Sequence, residues 1–352
     1  MYEKEVCAMA DMGLLKQLCE ERGVSGREEA VRERIIREIE GYADQMTVDP
    51  NGSLIVWKRG ADRPKKKLLL SAHMDEVGFL VTVVTEDGYL KFIPVGGIDQ
   101  RVICGRRVTV GEKGIPGVIG LKPIHLTDKA QRENAVDLEE MVIDIGACDR
   151  EEALRQVQPG DMVCFESLFD QSEDTICAKA LDDRAGCAVL IDLIRSELPY
   201  DMVFSFVVQE EIGLRGARCA SYTVAPDAAL VVEATTAADV GGVEKDKQVC
   251  RLHEGAVLSF MDRSTIYDKK YYQLAFRAAE ERGIRCQAKR AVAGGNDAGA
   301  IHVSRGGVRT LAVSLPCRYL HSAYSMISIE DLTSVERLVR ELACRIAGGQ
   351  EA

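Results

Sequence analysis

The sequence predicts an α/β protein with a mainly parallel sheet flanked by helices, into which a small β-rich domain is inserted. Apolar strand-like runs alternate with helical segments on both sides of the middle of the chain, as in LLLSAHMD and RAGCAVLIDLIRSEL. Between them, short β-rich runs are broken by glycine, proline and charged turns. We therefore predict an α/β domain made of residues 1–75 and 176–352, and an inserted domain made of residues 76–175.

The elements of the α/β part follow in chain order from apolar spacing and turn residues. Leucines within residues 14–18 mark a first helix, and Ser25 is placed to cap a second helix that ends near Ile39. Asn51-Gly52 predicts a hairpin turn. Further along are a buried strand at 68–75, a helix in RAGCAVLIDLIRSEL, strands in DMVFSFVVQEE and AALVVEAT, and helices at 268–283 and 329–347.

The pattern of the inserted part predicts a series of closely spaced strands. They are VGFLVTVV, YLKFIPV, RRVTV, GVIG, MVIDIG and DMVCFE. Several short strands separated by turns predict a compact β module.

Length, composition and charge exclude several classes of protein. At about 150 residues per domain, 352 residues predict two domains. A hydrophobic content of 46% and a charged content of 29% are ordinary for a globular chain and exclude a disordered one. The net charge of −11 disfavours a nucleic-acid partner. No apolar run approaches the roughly 18–20 residues that span a membrane, so we expect no membrane association.

The cysteines and the N-terminus predict a cytoplasmic protein. The opening MYEKEVCAMADMGLL has no basic region leading into an apolar core, so we expect no signal peptide. The 12 cysteines are scattered and form no CxxC pair, which disfavours a zinc knuckle or a redox pair. Reduced, largely buried thiols are the expected state.

Five polar clusters lie next to apolar strands or glycine turns in the α/β part. They are His73-Met74-Asp75, Asp182-Asp183-Arg184, Glu210-Glu211, Glu233 and His321. Carboxylates at such places are costly unless they are paired or bind metal. Two histidines with several carboxylates suit Zn²⁺ or Co²⁺, whereas an all-oxygen set favours Mg²⁺ or Ca²⁺. The combination predicts two divalent metal ions held close together, a site that activates water for hydrolysis.

The individual clusters leave alternatives open. In a strand, His73 and Asp75 share one face, so Asp75 can orient a metal-binding His73, or the pair can be an ordinary core hydrogen bond. The two aspartates precede a helix, where they can cap it or bridge two metals. Glu210-Glu211 can bind metal only if the strand has already turned, and is otherwise a solvated pair. A carboxylate beside a ligand is the natural general base, which suits Glu210.

Several motifs resemble one known family. SAHMDEVGF, AKALDDRAG, VQEEIGLRGA, VEATTAAD and LHSAYSM are similar to the tetrahedral (TET-type) dinuclear metallo-aminopeptidases, whose relatives are also called glutamyl aminopeptidase, deblocking aminopeptidase or cellulase. VGGIDQRVICGRRV and GVIGLKPIHL resemble the dimerisation domain of that family, and GGNDAGA (294–300) resembles a loop near its substrate pocket. The likeness covers nearly the whole chain.

The resemblance implies a zinc-peptidase-like fold, two Zn²⁺ or Co²⁺ ions, and a twelve-subunit assembly of dimers that trims short peptides with free N-termini. It implies that Asp182 bridges the ions, that His73 and Glu211 complete one shell, and that Glu233 and His321 complete the other. Asp75 would orient His73, and Glu210 would be the general base.

Two residues depart from the family pattern, and other functions remain open. Many members have aspartate where this chain has Glu233, and an acidic residue where it has Ser325. A deacylase or amidase could use the same metal core on blocked N-termini, and a scaffold could keep the assembly without catalysis. A glycosidase also uses paired carboxylates, but that function would give neither histidine a role. The single tryptophan also offers little aromatic surface on which a sugar could stack.

Overall fold

The computed structural model describes residues 11–351. Its helices are α1 (Met12–Glu20), α2 (Glu29–Ile39), α3 (Lys129–Glu133), α4 (Arg150–Leu154), α5 (Leu181–Arg195), α6 (Arg215–Val224), α7 (Lys269–Arg282), α8 (Ala298–Ile301) and α9 (Ile329–Ala347). Its strands are β1 (Gln45–Val48), β2 (Leu54–Lys58), β3 (Leu68–His73), β4 (Gly78–Val84), β5 (Leu90–Val95), β6 (Arg107–Val110), β7 (Ile115–Gly120), β8 (Val142–Asp144), β9 (Met162–Phe165), β10 (Asp170–Gln171), β11 (Thr175–Ala178), β12 (Met202–Val207), β13 (Ala228–Thr236), β14 (Ala256–Leu258), β15 (Cys286–Ala288), β16 (Arg309–Cys317) and β17 (Ser325–Ser328).

The largest sheet in the described chain has eight strands in the order β1-β2-β12-β3-β13-β16-β14-β15. The four central strands, from β12 to β16, run parallel to one another. The pair β14–β15 is also parallel, so most strand pairs are parallel as predicted, but β1–β2, β2–β12 and β14–β16 are antiparallel and make the sheet mixed. One reason is the Asn51-Gly52 turn, because a connection this short can join only antiparallel strands. The parallel centre brings four strand carboxyl ends to the same edge.

Helices cover both faces of this sheet. Leu68, Leu70 and Ala72 of β3 pack in the core cluster that includes α1, α2, α5, α7 and α9. Leu69, between them, packs in a second cluster with α6 and α8. Successive side chains of a strand point to opposite faces of the sheet. Because both faces are buried here, LLLSAH is apolar at almost every position.

The inserted residues form a closed barrel of antiparallel strands in the order β4-β5-β8-β7-β6-β9. The barrel has a core of its own, in which the ring of Phe79 packs edge-on against those of Phe92 and Phe165. Each of the six strand-like runs of this region becomes one barrel strand. β10 and β11, which follow the barrel, instead belong to a three-stranded sheet in which β11 pairs with β10 on one side and with β17 of the α/β part on the other.

The predicted helices are present, but Ser25 does not cap one. α9 spans residues 329–347 as expected, and α2 ends at Ile39. The residue before α2 is Glu28, and the Ser25 hydroxyl instead donates a 2.6 Å hydrogen bond to Asp75. The cap prediction was wrong because the competing acceptor is distant in sequence and close only in the folded chain.

The structure also bears on the predictions about membrane spans and cysteines. No helix among the described residues is both long and apolar enough to cross a membrane. The cysteines that the structure describes are free. The segment on which the signal-peptide expectation rests lies mostly outside the described residues.

Candidate metal centre and active-site cleft

The parallel centre of the sheet brings the five polar clusters to one place. His73 ends β3, and Glu211 lies in the turn after β12. His321 follows β16, and Asp182 lies at the start of α5. Carboxyl ends of parallel strands meet at one edge, which is where open α/β sheets carry their chemistry.

Glu233 lies inside a strand rather than at its end. β13 continues past it to Thr236. β13 pairs with β3 up to Val231 and Ser71, and two residues further along each strand Glu233 contacts His73. The side chain is only 5% exposed.

The side chain of Asp182 lies between the two histidines. Its Oδ1 is 3.2 Å from Nε2 of His73, and its Oδ2 is 3.5 Å from Nε2 of His321. Glu233 Oε1 lies 3.1 Å from Nε2 of His73, and Glu211 Oε1 lies 3.2 Å from Nε2 of His321. The five side chains therefore form two groups that share one carboxylate.

These contacts favour a different division of the candidate ligands from the one the resemblance implied. His73 contacts Glu233 rather than Glu211, and His321 contacts Glu211 rather than Glu233. The reason is topological. Neighbouring strands carry His73 and Glu233, whereas the turns that follow β12 and β16 carry the other two residues.

Asp75 connects the histidine to the turn after β12. Its Oδ1 lies 3.5 Å from Nδ1 of His73, whose closer contact is the Asp75 carbonyl oxygen at 3.0 Å. The backbone N–H groups of Glu210 and Glu211 donate to its two carboxylate oxygens at 2.9 and 3.1 Å. Burial alone would raise the pKa of Asp75, but hydrogen bonds from His73 and Ser25 lower it. Buried Asp75 thus holds in place both the His73 imidazole and the turn after β12.

The turn that carries Glu210 and Glu211 distinguishes between the two alternatives for this pair, which were metal binding after the strand has turned and a solvated pair. β12 ends at Val207, and Gln209 has a φ of 56°, so the chain has left the strand before the two glutamates. Glu28 Oε1 accepts the N–H of Gln209 at 3.1 Å. Positive φ is unfavourable for a side-chain-bearing residue and is common at functional sites. Glu211 faces His321, and Glu210 lines the adjacent cleft.

The sequence left two roles open for the adjacent aspartates, capping a helix or facing metal ions. In the structure the two side chains make different contacts. Oδ1 of Asp183 accepts the backbone N–H of Gly186 at 3.0 Å, which is a helix-capping contact. Its Oδ2 accepts the N–H of His73 at 3.3 Å. Asp182 is left to face both histidines.

The histidines are strongly perturbed by the surrounding carboxylates. Burial lowers the pKa of His73, but Glu233 and Asp182 outweigh it and raise that pKa well above its usual value. Burial also opposes the effect of Asp182 and Glu211 on His321, yet the pKa of His321 rises to about 11. Burial would raise the pKa of Asp182, but the two histidines lower it. The carboxylates of this cluster therefore stabilise positive charge placed between them.

The donor set fits divalent metal ions. One potential ligand atom from each of His73, Asp182 and Glu211 lies within 4.8 Å of the others, and the same is true of His73, Asp183 and Glu233. Oε2 of Glu233 is buried without a hydrogen-bond partner among the described residues, and burial raises the pKa of Glu233 well above its usual value. An unpaired buried carboxylate oxygen beside imidazole nitrogens is what a bound cation would satisfy.

Behind the metal centre lies a buried ion cluster that the sequence analysis missed. Nζ of Lys179 lies 2.7 and 2.8 Å from the two carboxylate oxygens of Glu76. Arg184, which is fully buried, donates from Nε to the Met74 carbonyl at 2.8 Å and also reaches the Leu18 carbonyl and Glu76. The cluster fixes both sides of Asp75. Because its partners lie far apart in sequence, only the adjacency of Glu76 to Asp75 could have suggested it.

We expect Arg184→Met to lower the free energy of unfolding by about 3–5 kcal/mol, because Glu76 and three carbonyl oxygens, those of Leu18, Glu21 and Met74, lose a buried cationic donor. Chemical denaturation of the metal-free protein measures this directly. The matched control is Arg150→Met, whose exposed partner is Glu86 and whose loss is expected to change the midpoint little. Equal midpoints for both variants would contradict a structural role for the buried cluster.

A cleft of about 610 Å³ opens beside the metal centre. Residues of the inserted barrel, the end of β13, the 293–296 loop and the 319–324 segment line it. Gly294, Gly295 and Asn296 belong to the GGNDAGA segment, which therefore lies at the cleft as the resemblance implied. Asp297 is buried behind them, and burial raises its pKa to about 7.

A mixed sheet with histidines and carboxylates that could hold divalent metal at its carboxyl edge is the arrangement expected of a metal-dependent peptidase. Residues 52–338 match the family model described as M42 glutamyl aminopeptidase. The chain belongs to this family, and the protein is an aminopeptidase, a peptide hydrolase. The TET-type resemblance is thereby confirmed.

Two relatives and two solved structures illustrate the similarity. The lysyl aminopeptidase of Pyrococcus furiosus is 32% identical over 95% of this chain and 97% of its own. The glutamyl aminopeptidase of Lactococcus lactis is 30% identical over 93% and 94%. A TET aminopeptidase from the archaeon Thaumarchaeota archaeon SCGC AB-539-E09 superposes with a TM-score of 0.91 at 37% identity, over 95% and 96%. The TET1 peptidase of Pyrococcus horikoshii gives 0.83 at 37% identity, over 94% and 98%.

Proposed function

We propose that the protein removes single residues from the free N-termini of short peptides, using two divalent metal ions per subunit, Zn²⁺ or Co²⁺. The observation that carries this proposal is the Asp182 carboxylate, whose two oxygens face two different histidines. One ion would be held by His73, Asp182 and Glu233. The other would be held by His321, Asp182 and Glu211. Nitrogen and oxygen donors in this mixture suit Zn²⁺ and Co²⁺.

The side chains around the ions have separate tasks. When bound, the ions lower the pKa of an attacking water and polarise the first peptide carbonyl. Glu210, which lines the cleft and is not among the proposed ligands, takes the proton from that water and later gives it to the leaving amine. Burial, together with Glu233 and Asp297, raises the pKa of Glu210 well above its usual value in the metal-free protein, despite His73. Asp75 is a positioning residue for His73 and the Glu210-Glu211 turn.

We extend the proposal to assembly and location. Residues 76–175 would act as a dimerisation domain, and the dimers would assemble into a dodecamer, as the resemblance implies. The P. horikoshii TET1 peptidase can assemble into a tetrahedron or a large octahedral shell. Exposed apolar side chains on the barrel region, among them Ile93, Ile124 and Leu126, support a contact surface there. The free cysteines of the described chain support a cytoplasmic location.

The test is hydrolysis of aminoacyl-nitroanilides and their N-acetylated forms by metal-stripped protein, before and after addition of Zn²⁺ or Co²⁺. We expect activity on the free amines alone, and only with metal present. Activity on the acetylated forms alone would indicate the deacylase instead. No turnover despite two bound metal equivalents would indicate a scaffold.

A further inference from the structure

The two histidines of the metal centre have different structural support. His73 is the last residue of β3, its side chain is 1% exposed, and its Nδ1 lies 3.0 Å from the carbonyl oxygen of Asp75. His321 lies in the loop after β16 with a φ of 58°, and its side chain is 32% exposed. A strand therefore fixes the backbone of His73, whereas the ring of His321 needs a contact from another part of the chain to hold it.

The inserted barrel supplies that contact. Nδ1 of His321 lies 3.0 Å from the carbonyl oxygen of Gly97, which follows β5 of the barrel. A carbonyl oxygen can only accept a hydrogen bond, so Nδ1 carries the proton, and the lone pair of the neutral ring is on Nε2. Nε2 is the atom that faces Glu211 and Asp182. The contact thus selects the tautomer of His321 that can bind a metal ion.

The backbone of the same loop lies against both of the side chains that would hold this ion together with Asp182. A Cβ added at Gly97 would lie 3.5 Å from Nδ1 of His321. A Cβ added at Gly96 would lie 3.3 Å from Glu211 and only 2.8 Å from Val77, which is too close for a real side chain. Gly96 also has a φ of 83°, which glycine adopts readily and alanine does not. The turn therefore needs glycine at this position for the next carbonyl to reach the ring.

The loop and the histidine segment are both anchored in the core of the barrel. Ile98, the residue after Gly97, packs against that core. Ala323, two residues after His321, packs against it as well. Because the two segments share one apolar core, the barrel holds the carbonyl and the ring at a fixed separation.

We propose that the Gly96-Gly97 loop of the barrel is a positioning element of the metal centre, which holds His321 in the tautomer and orientation that bind the ion beside it. The affinity of this ion then depends on the inserted domain. The ion beside His73, whose ring is held by Asp75, is independent of the loop. This inference rests on the proposed two-ion centre and adds to it a role for the barrel in metal binding.

The first test is a titration of the metal-free protein with Co²⁺, followed by calorimetry and by the visible absorption of the bound ions. We expect Gly96→Ala to bind one ion with the wild-type affinity and the other about 10- to 100-fold more weakly, the usual loss when a group that orients a metal ligand is removed. The matched control is Gly105→Ala. Gly105, also in the inserted region, has a φ of 75°, and a Cβ added there would meet no described atom within 4 Å.

The two alanine variants strain the backbone alike, but only the first does so beside the metal centre. We expect Gly105→Ala to bind both ions with the wild-type affinity. Unchanged affinity in Gly96→Ala, or equal weakening in both variants, would overturn the inference.

A backbone substitution separates the hydrogen bond from the contact with Glu211. Replacing Ile98 by its α-hydroxy acid analogue turns the peptide bond of the Gly97 carbonyl into an ester, whose oxygen is a weaker acceptor, and keeps every side chain. We expect one ion to bind about two- to tenfold more weakly, which is the size of a neutral hydrogen bond. Unchanged affinity of both ions would overturn the role of the carbonyl.

Hydrolysis of the nitroanilides by the same proteins separates this inference from the proposed function. Weaker binding of one ion in Gly96→Ala, together with no turnover by the wild-type protein, would refute the proposed function and support the role of the loop. Normal turnover by the wild-type protein, together with unchanged Co²⁺ affinities in Gly96→Ala, would refute the role of the loop and support the proposed function.

Discussion

Replacing Asp182 by alanine is expected to remove both metal ions and to lower kcat/KM by about four orders of magnitude or more. Each tenfold loss corresponds to 1.36 kcal/mol of barrier, and a bound metal supplies several kcal/mol. Asp182 differs from the other candidate ligands because its two oxygens face two histidines. Glu233→Ala should remove only the ion beside His73 and leave about one equivalent bound. Metal content after dialysis, measured by mass spectrometry, distinguishes these outcomes.

The matched control for this experiment lies on the same helix. Asp192, also in α5, is partly exposed and pairs with Arg340 at 3.1 Å, away from the histidines. Asp192→Ala is expected to keep two metal equivalents and the wild-type activity. An Asp182→Ala protein that still bound two equivalents would show that this carboxylate does not bridge the ions.

The elements that the sequence predicted well are those specified by local pattern. The run LLLSAH became β3 because a strand buried on both faces needs apolar residues at nearly every position. Asn51-Gly52 became the turn between β1 and β2, where Gly52 has a φ of 107° that glycine adopts readily. The six runs of the insertion became six strands, although nothing local could show that they close into a barrel.

The errors involve partners that are distant in sequence. Ser25 has the right chemistry and position for a cap, but Asp75 accepts its hydroxyl in the folded chain. The division of the ligands that we propose also differs from the one the resemblance implied, because the contact between His73 and Glu233 depends on how β13 lies against β3. Sheet order likewise sets the mixture of parallel and antiparallel pairs. Register and order are global properties that a single sequence does not display.

Lys289 illustrates a different limit. A lone lysine in the segment QAKRAVAGG has the appearance of an ordinary surface residue. In the structure it lines the cleft, is only 7% exposed and donates to the Ala293 carbonyl, and none of this is visible in the sequence.

Glu210→Gln is expected to lower kcat by about 10²- to 10⁴-fold while the metal content stays at the wild-type value. Glutamine keeps the size of the side chain but cannot take a proton from water. Since the Asp75 contact is made by the backbone N–H of Glu210, the turn should keep its conformation. A general base must lose its proton before it can act, so wild-type kcat/KM should rise with pH through the pKa that Glu210 has in the metal-loaded protein. The residual activity of the glutamine variant should lack this rise.

The adjacent glutamate provides the contrast that makes the result specific. Glu211 contacts His321 at 3.2 Å and is a proposed ligand, so Glu211→Gln should weaken binding of the ion beside His321 and recover activity when metal is added in excess. Glu210→Gln should not respond to added metal, because the missing group moves a proton rather than holding an ion. Metal-dependent rescue of Glu210→Gln would make Glu210 a ligand, and unchanged kcat would assign the proton transfer to another group. The same substitution at neighbouring positions thus separates the residue that holds the metal from the residue that uses it.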